Sequence, residues 1–267
     1  MRRIWWVIAL AALPGRGFAA TSTSPCLIEP AQKLAIRSTV TASIVTIHVD
    51  RGTFVKKGQT LVTLDASVES ASLSAAKFRS VMQGQVAAAQ ARMEHGKAKL
   101  GRRDELLQEK YVSAQDRDDA AAELRAAEAD LLEARDNRQL AGLEVQRLAA
   151  EVGRRVITSP INGVVTERLL QPGELAQAGE SAGPILKLAQ TDPARVEVVL
   201  PAAKHGSVKV GNVVIVKPEA PFTGSYKATV KVVDTVIDSA SGTFGVRLEF
   251  ANPNGDVPLG VRCSAAL

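Results

Sequence analysis

Two stretches of this chain repeat one another at a fixed distance. Ser38 to Gly58, STVTASIVTIHVDRGTFVKKG, and Ser159 to Gly179, SPINGVVTERLLQPGELAQAG, align at a constant offset of 121. The offset pairs Ser38 with Ser159, Val40 with Ile161, Ile44 with Val165, Val49 with Leu170, Gly52 with Gly173 and Gly58 with Gly179. After a three-residue insertion between Ser181 and Pro184, Leu61 and Leu64 match Ile185 and Leu188. Apolar residues at alternate positions with glycines at the turns describe short strands in each copy. One copy has too few strands to bury its own faces, so the two are expected to pack together as a small β-sandwich.

The residues between the copies obey a different period. Ser67 to Val152 contains no proline, and its second half places Ala120, Leu124, Ala127, Leu131, Ala134, Arg138, Ala141, Val145, Leu148 and Val152 at spacings of four and three. That is a coiled-coil seam with one polar exception, Arg138. The first half runs Ala71, Ala75, Phe78, Met82, Gln85, then Ala89, Met93, Gly96, Leu100, Arg103 and Leu107. Two successive fours around Gln85 and Ala89 read as a local shift of the heptad. Two halves of about 40 residues at about 1.5 Å each make an antiparallel hairpin roughly 60 Å long. Its far end is RRDELLQEKYVSAQDRD.

From Ala194 onward the pattern is all strand: ARVEVVLP, NVVIVKP, YKATVKVVD, TFGVRLEF and VRCSAAL, parted by Gly, Pro and Asn turns. Five or more such strands suit a small antiparallel barrel. The expected fold class is mixed α and β, elongated and multidomain: an antiparallel coiled-coil α-hairpin inserted in a split β-sandwich, followed by a small antiparallel β-barrel. The corresponding map is residues 20–37 as an N-terminal segment and first strand, 38–66 as the first half-motif, 67–152 as the hairpin, 153–190 as the second half-motif and 191–267 as the barrel. This circuit brings Cys26 back toward Cys263, which favours a disulfide over two unpaired small apolar side chains.

The first residues read as an export signal, with Arg2 and Arg3 before an apolar run from Ile4 to Leu13 and small residues Gly17 and Ala19 at the cleavage site. Residues 1–19 are the expected signal peptide. The apolar run is about half of the ~20 residues a membrane-spanning helix needs. Thr-Ser-Pro before Cys26 lacks the Leu-small-small-Cys pattern of a lipid anchor. The formal charge of +5 invites a nucleic-acid reading. Removing Arg2, Arg3 and Arg16 leaves 30 basic against 28 acidic residues, a net of +2, with no basic cluster interleaved with aromatics; no nucleic-acid partner is expected.

No catalytic pattern stands out. His48, His95 and His205 lie on a strand, a helix and a loop without a second ligand at metal spacing. HVD at His48 to Asp50 sends successive side chains to opposite strand faces, which fits no triad. No Gly-x-Ser-x-Gly and no phosphate-binding loop occur, and the acids of the hairpin read as a solvated face. Neither enzyme activity, a metal nor a cofactor is expected.

A split repeat interrupted by a helical hairpin resembles the lipoyl-like domain of periplasmic adaptor subunits, the membrane fusion proteins of the HlyD-like family. The segments that carry the resemblance are VDRGTFVKKGQTLVTLD, ITSPINGVVTERLLQPGE and VVDTVIDSASGTFGVRLEFANPNGDVPLGVRC. It implies a non-catalytic adaptor in the periplasm, peripheral at the inner membrane. Such an adaptor links an inner-membrane transporter, most similarly one of the resistance-nodulation-division (RND) class, to a TolC-type outer-membrane channel, as a homo-oligomer, by resemblance a hexamer. The family's tip motif, Arg, Leu four residues on and Ser seven further, falls on Arg102, Leu106 and Ser113. The resemblance has Arg102 bonding to channel carbonyls or carboxylates, Leu106 packing in an inter-helix groove and Ser113 bonding near the turn. The residues by themselves allow a plainer reading, since Ser113-Ala-Gln-Asp116 is a capping-box-like helix start and Leu106 fits the seam. Ala42 departs from the family's usual glycine, which Gly163 keeps in the second half. Longer members continue past the barrel into a membrane-proximal domain.

Two rival functions share these motifs. An adaptor of an ATP-driven exporter or of one-step (type I) secretion has the same architecture. A lipoyl or biotinyl carrier is built from the same half-motifs, but needs its modified lysine on the turn between them, usually beside methionine. Here the hairpin replaces that turn, and Lys56 and Lys57 read as solvated turn residues.

Overall fold

In the computed structural model, residues 23–179, 182–253 and 255–267 are described; the expected signal peptide, residues 1–19, lies outside them. Strands β1 (Thr23–Pro30), β2 (Lys33–Ile36), β3 (Ala42–Ile47), β4 (Phe54–Val55) and β5 (Thr60–Leu64) precede three helices, α1 (Ser67–Val81), α2 (Gly84–Gln108) and α3 (Ala114–Gly153). Strands β6 (Val156–Thr158), β7 (Gly163–Arg168), β8 (Leu175–Ala176) and β9 (Leu186–Ala189) follow. Then come β10 (Ala194–Pro201), β11 (Val213–Pro218), β12 (Tyr226–Val233), β13 (Thr243–Phe250) and β14 (Val261–Ala266). The chain divides into two compact units, Leu34–Leu188 and a second made of Ala189–Leu267 with the N-terminal stretch through Lys33.

The first unit is built on exchanged strands. Two four-stranded sheets run β2-β9-β7-β4 and β6-β5-β3-β8, so β4 of the first half pairs with β7 of the second while β8 of the second pairs with β3 of the first. The turns are exchanged in the same way. Gly52 N donates to Val165 O (2.8 Å) and Gly173 N to Ile44 O (2.8 Å); Val165 N donates to Thr53 O (3.0 Å) and Ile44 N to Glu174 O (2.9 Å). Lys57 N reaches Asn162 Oδ1 at 2.8 Å and Ala178 N reaches Thr41 Oγ1 at 3.1 Å. Every bond has a twin at the 121-residue offset with the halves swapped, so a pseudo-twofold axis relates the copies. Gly52 and Gly173 turn the chain at φ +85° and +91°, where a side chain would be strained. Leu61, Leu64, Ile185 and Leu188, the pairs beyond the insertion, have 1% exposure or less. Ala42 simply opens β3 beside Ala176, and its counterpart Gly163 opens β7 beside Val55.

The hairpin leaves from β5 and returns through β6, and these two strands pair with each other, Thr60 with Thr158 and Thr63 with Val156. The same ladder therefore sets the spacing of the hairpin's feet. Arg155 reinforces it from the second foot, donating to Asp65 O (3.0 Å) and to the Glu69 carboxylate. Along α3, every residue of the expected seam is buried or half-buried except Arg138. α2 follows its expected phase through Ala89, Met93, Gly96, Leu100, Arg103 and Leu107, all at least half-buried. At Gly96 an added Cβ would stand 3.3 Å from Leu124 Cα, so the absence of a side chain sets the approach of α2 and α3.

The first leg departs from expectation. It is not one helix with a heptad shift but two, broken at Met82 and Gln83, where Met82 adopts an extended ψ of 128° and its N–H falls back on Arg79 O. Gly84, a poor helix former, opens α2. The break frees α1 from the phase of α2: Glu69, Leu73, Ala76 and Ser80 turn inward, whereas Phe78 and Met82, expected in the seam, are 68% and 56% exposed. Arg138, the polar exception of α3, sits opposite the break, and its Nε donates to Ser80 O at 3.4 Å among the carbonyls left open at the end of α1.

The second unit is a closed six-stranded barrel in the order β1-β10-β13-β12-β11-β14. Strict alternation fills it: Ala194, Val196, Val198 and Leu200 of β10 point inward beside Phe244, Val246, Leu248 and Phe250 of β13. Its sixth strand, β1, comes from the N-terminal segment at 20–37, so the barrel extends beyond residues 191–267. β1 lies between β10 and β14 and sets Cys26 directly opposite Cys263. The two are disulfide-bonded with a Cα–Cα distance of 4.8 Å.

Two tests follow from this packing. Gly96→Leu is expected to force α2 and α3 apart and to lower stability by about 1–3 kcal/mol, read from the denaturation midpoint. Intact mass of unreduced, alkylated protein is expected to show no modified thiol, and reduction to cost the barrel about 2–4 kcal/mol.

Candidate functional site

The turn between α2 and α3 is closed on both sides. α2 ends in a Schellman arrangement: Lys110 N donates to Leu107 O (3.0 Å) and Tyr111 N to Leu106 O (2.9 Å). This requires a left-handed residue, and Lys110 takes that place at φ +65°, the sole non-glycine with positive φ among the described residues. α3 opens on a reciprocal capping box. Asp116 N donates to Ser113 Oγ (3.1 Å), Ser113 N donates to Asp116 Oδ2 (3.0 Å), and the Ser113 hydroxyl bonds the same carboxylate oxygen at 2.6 Å. Those bonds from Ser113, the hydroxyl first and the backbone second, hold the Asp116 carboxyl below the ordinary aspartate range. Just below the turn Arg117 Nε meets Asp104 Oδ1 at 2.9 Å, tying α3 to α2.

The three residues singled out by spacing have separate fates here. Arg102 and Leu106 stand one turn apart on α2, on the same face. Arg102 is exposed and makes no ion pair among the described residues, while Leu106 is half-buried. Ser113 lies across the turn at the N-cap of α3, its hydroxyl already engaged with Asp116. Spacing alone missed Tyr111, which is 76% exposed at the end of the hairpin in a chain with only two tyrosines. The signal was the break itself: a bulky aromatic beside a helix stop has no seam position to fill.

Elsewhere the polar candidates are accounted for locally. His48 Nε2 bonds Thr63 Oγ1 at 2.9 Å, and His205 packs edge-on against Phe244 with Nε2 3.3 Å from Asp234 O. Among the described residues no three His, Cys, Asp or Glu side chains are grouped to hold a metal, and no helix is long and apolar enough to cross a membrane.

The chain thus combines a helical hairpin inserted between exchanged half-motifs with an antiparallel barrel, and comparison with known proteins finds similarity to membrane fusion proteins. Residues 79–142 match the family model for the "RND MFP, alpha-helical hairpin domain". The chain is 29% identical over 233 residues to the multidrug resistance protein MdtA of Xenorhabdus bovienii, covering 85% of this chain and 53% of that one. It is 27% identical over 271 residues to the multidrug resistance protein MdtE of Escherichia coli, covering 97% and 64%. The chain thus spans between half and two thirds of these curated relatives. In fold it is similar to MacA from Actinobacillus actinomycetemcomitans, with a TM-score of 0.77 at 22% identity over 91% of this chain and 76% of that one. The membrane fusion protein Spr0693 from Streptococcus pneumoniae shares the fold at a TM-score of 0.64 and 14% identity, over 91% and 97%.

Ser113→Ala is expected to remove the N-cap and cost α3 about 1 kcal/mol. It also returns the Asp116 carboxyl toward the ordinary aspartate value, which an NMR titration of that carboxyl reads directly. Because the folded pKa is depressed, the cap's contribution is complete above the unfolded pKa of about 3.9 and lost as pH falls through the lower folded value. Fraying of the first turn of α3 should therefore begin below about pH 4 in the wild type.

Proposed function

We propose that the chain is a non-catalytic periplasmic adaptor that links an inner-membrane efflux transporter of the RND class to a TolC-type outer-membrane channel, as a homo-oligomer and by resemblance a hexamer. In this reading, export of the mature chain follows cleavage of the signal at residues 1–19. The observation that carries it is the hairpin: a two-legged arm whose residues 79–142 match the family model for the RND adaptor hairpin and whose tip presents the exposed Arg102 guanidinium, which makes no ion pair among the described residues.

The tip chemistry supports a docking role. Arg102 offers a planar fork of donors suited to the carboxylates and backbone carbonyls found at the ends of channel helices. Leu106 supplies an apolar edge one turn further on, and Tyr111 adds exposed aromatic area of the kind that anchors interfaces. Both helix ends are capped within the chain, so little ordering remains to oppose binding. Ser113 acts here mainly through Asp116, shaping the turn on which the other side chains stand.

A photo-reactive residue placed at Arg102 or Tyr111 in cells is expected to trap an outer-membrane channel. Arg102→Asp is expected to weaken that capture by about tenfold or more, the effect of losing one anchor, at unchanged adaptor abundance. Capture of inner-membrane components alone, or undiminished capture by the variant, would overturn the tip assignment.

A further inference from the structure

The charges of the barrel are sorted by strand. On β12, β11 and β14, which are neighbours in the sheet, every charged residue is a cation: Lys227 and Lys231, Lys217, and Arg262. The other three strands carry Arg195 with Glu197, Arg247 with Glu249, and Glu29. There the charges partly cancel, Arg247 Nε meeting Glu197 Oε1 at 2.8 Å and Lys33 Nζ meeting Glu29 Oε1 at 3.5 Å. The four cations of the basic side are all exposed, and none makes an ion pair among the described residues. The turns at the strand ends add Glu219, Asp234, Asp238 and Asp256 against Lys204 and Lys209. The basic excess therefore belongs to the sheet face and not to the ends of the barrel.

Between these cations the outward side chains are aliphatic or small. Val213 and Ile215 of β11 are 63% and 46% exposed, and Val232 of β12 is 39% exposed. Strand alternation sends Val214 and Val216 into the core, which leaves Val213 and Ile215 with no packing role inside the barrel. The register sets Lys227 opposite Ile215 and Thr229 opposite Val213, while Lys217, next on the outward side of β11, lies opposite Ser264. Cross-strand neighbours stand about 5 Å apart, so the aliphatic ridge of β11 is bordered by ammonium groups along the strand and across it. On the far side of β14, Leu27 of β1 is 37% exposed and lies opposite Arg262.

From this we infer that the outer face of β12, β11 and β14 lies against an anionic phospholipid surface. The complementarity is one of charge: cations without partners, spread over a sheet face that carries no acid, attract a plane of phosphates. Three of the four are lysines, whose hydrated point charge on a flexible stem follows a mobile headgroup layer and needs no fixed fork of acceptors. Val213 and Ile215, raised between them, have an apolar boundary to enter once the headgroups are met. The inference rests on the periplasmic part of the proposed function, in which that surface is the periplasmic leaflet of the inner membrane, and it assigns the contact to particular residues of the barrel.

The exported, mature chain tests it. Trp5 and Trp6 are the only tryptophans and fall within residues 1–19, so Ile215→Trp gives the mature form a lone reporter on this face. Its emission is expected to shift to the blue on vesicles of phosphatidylglycerol with phosphatidylcholine and to stay unshifted on phosphatidylcholine alone. Co-sedimentation with the anionic vesicles is expected to be lost at about 1 M salt. Lys217→Glu with Lys227→Glu is expected to weaken that co-sedimentation by about tenfold or more. Lys97→Glu with Arg125→Glu, the same change of charge at exposed positions of the hairpin, is expected to leave it unaltered. Equal binding to both kinds of vesicle, no binding to either, equal weakening by the two pairs, or co-sedimentation without a tryptophan shift overturns the inference. An inner-membrane protein cross-linked through Lys217 in cells, with no vesicle binding by the purified chain, overturns it in favour of a protein partner. Each of these failures leaves capture of a channel from Arg102 untouched, and the adaptor reading stands or falls by that capture.

Discussion

Neither half-motif can hide its apolar face alone, and the exchange of strands and turns between them is the constraint on which the rest of the first unit depends. Gly52 bonds into β7 and Gly173 into β3, each turn serving the other copy. A backbone N–H left unpaired in such a small core would be costly, so one half folds only against the other. That exchange also carries the chain from β5 into β6 as paired neighbours, with 86 intervening residues of hairpin between Ser67 and Val152 in the expected map. The hairpin is therefore held at its root by a sheet ladder and by the largely buried Arg155–Glu69 pair.

Beyond the root, the arm relies on close approach rather than on large side chains. Ala89, Gly96 and Ala120 are among its most buried residues, and small residues let the backbones come near enough for many weak dispersion contacts to add up. The cross-hairpin pairs Lys99–Glu123 and Arg117–Asp104 lie on the solvent side, where screening keeps ion pairs weak, and they define register more than stability. The break at Met82 gives α1 and α2 independent phases on one continuous partner. One helix thereby packs inward with Leu73 and Ala76 and still presents Phe78 and Met82 outward.

The turn at the far end combines stiffness with exposure. A Schellman stop, a left-handed lysine and a capping box take up the backbone and the Ser113 hydroxyl. Arg102 and Tyr111 are left facing solvent on a frame that needs no further ordering. This division between residues that hold the turn and residues that can meet a partner is what the spacing of Arg102, Leu106 and Ser113 conceals, because all three look alike in a motif.

Periodicity by itself determined the repeat, the helical insertion, the seams of α2 and α3 and the alternation of the barrel strands, because each depends on residues close together in the chain. The capping box at Ser113 was legible for the same reason. Which face of α1 turns inward was not, since the break at Met82 resets the helical phase and only packing against α3 decides the outcome. The closure of the barrel by β1, the register that sets Cys26 against Cys263, and Arg138 reaching the open end of α1 likewise belong to tertiary structure. Each joins residues tens to hundreds of positions apart, and no local pattern records a partner at that distance.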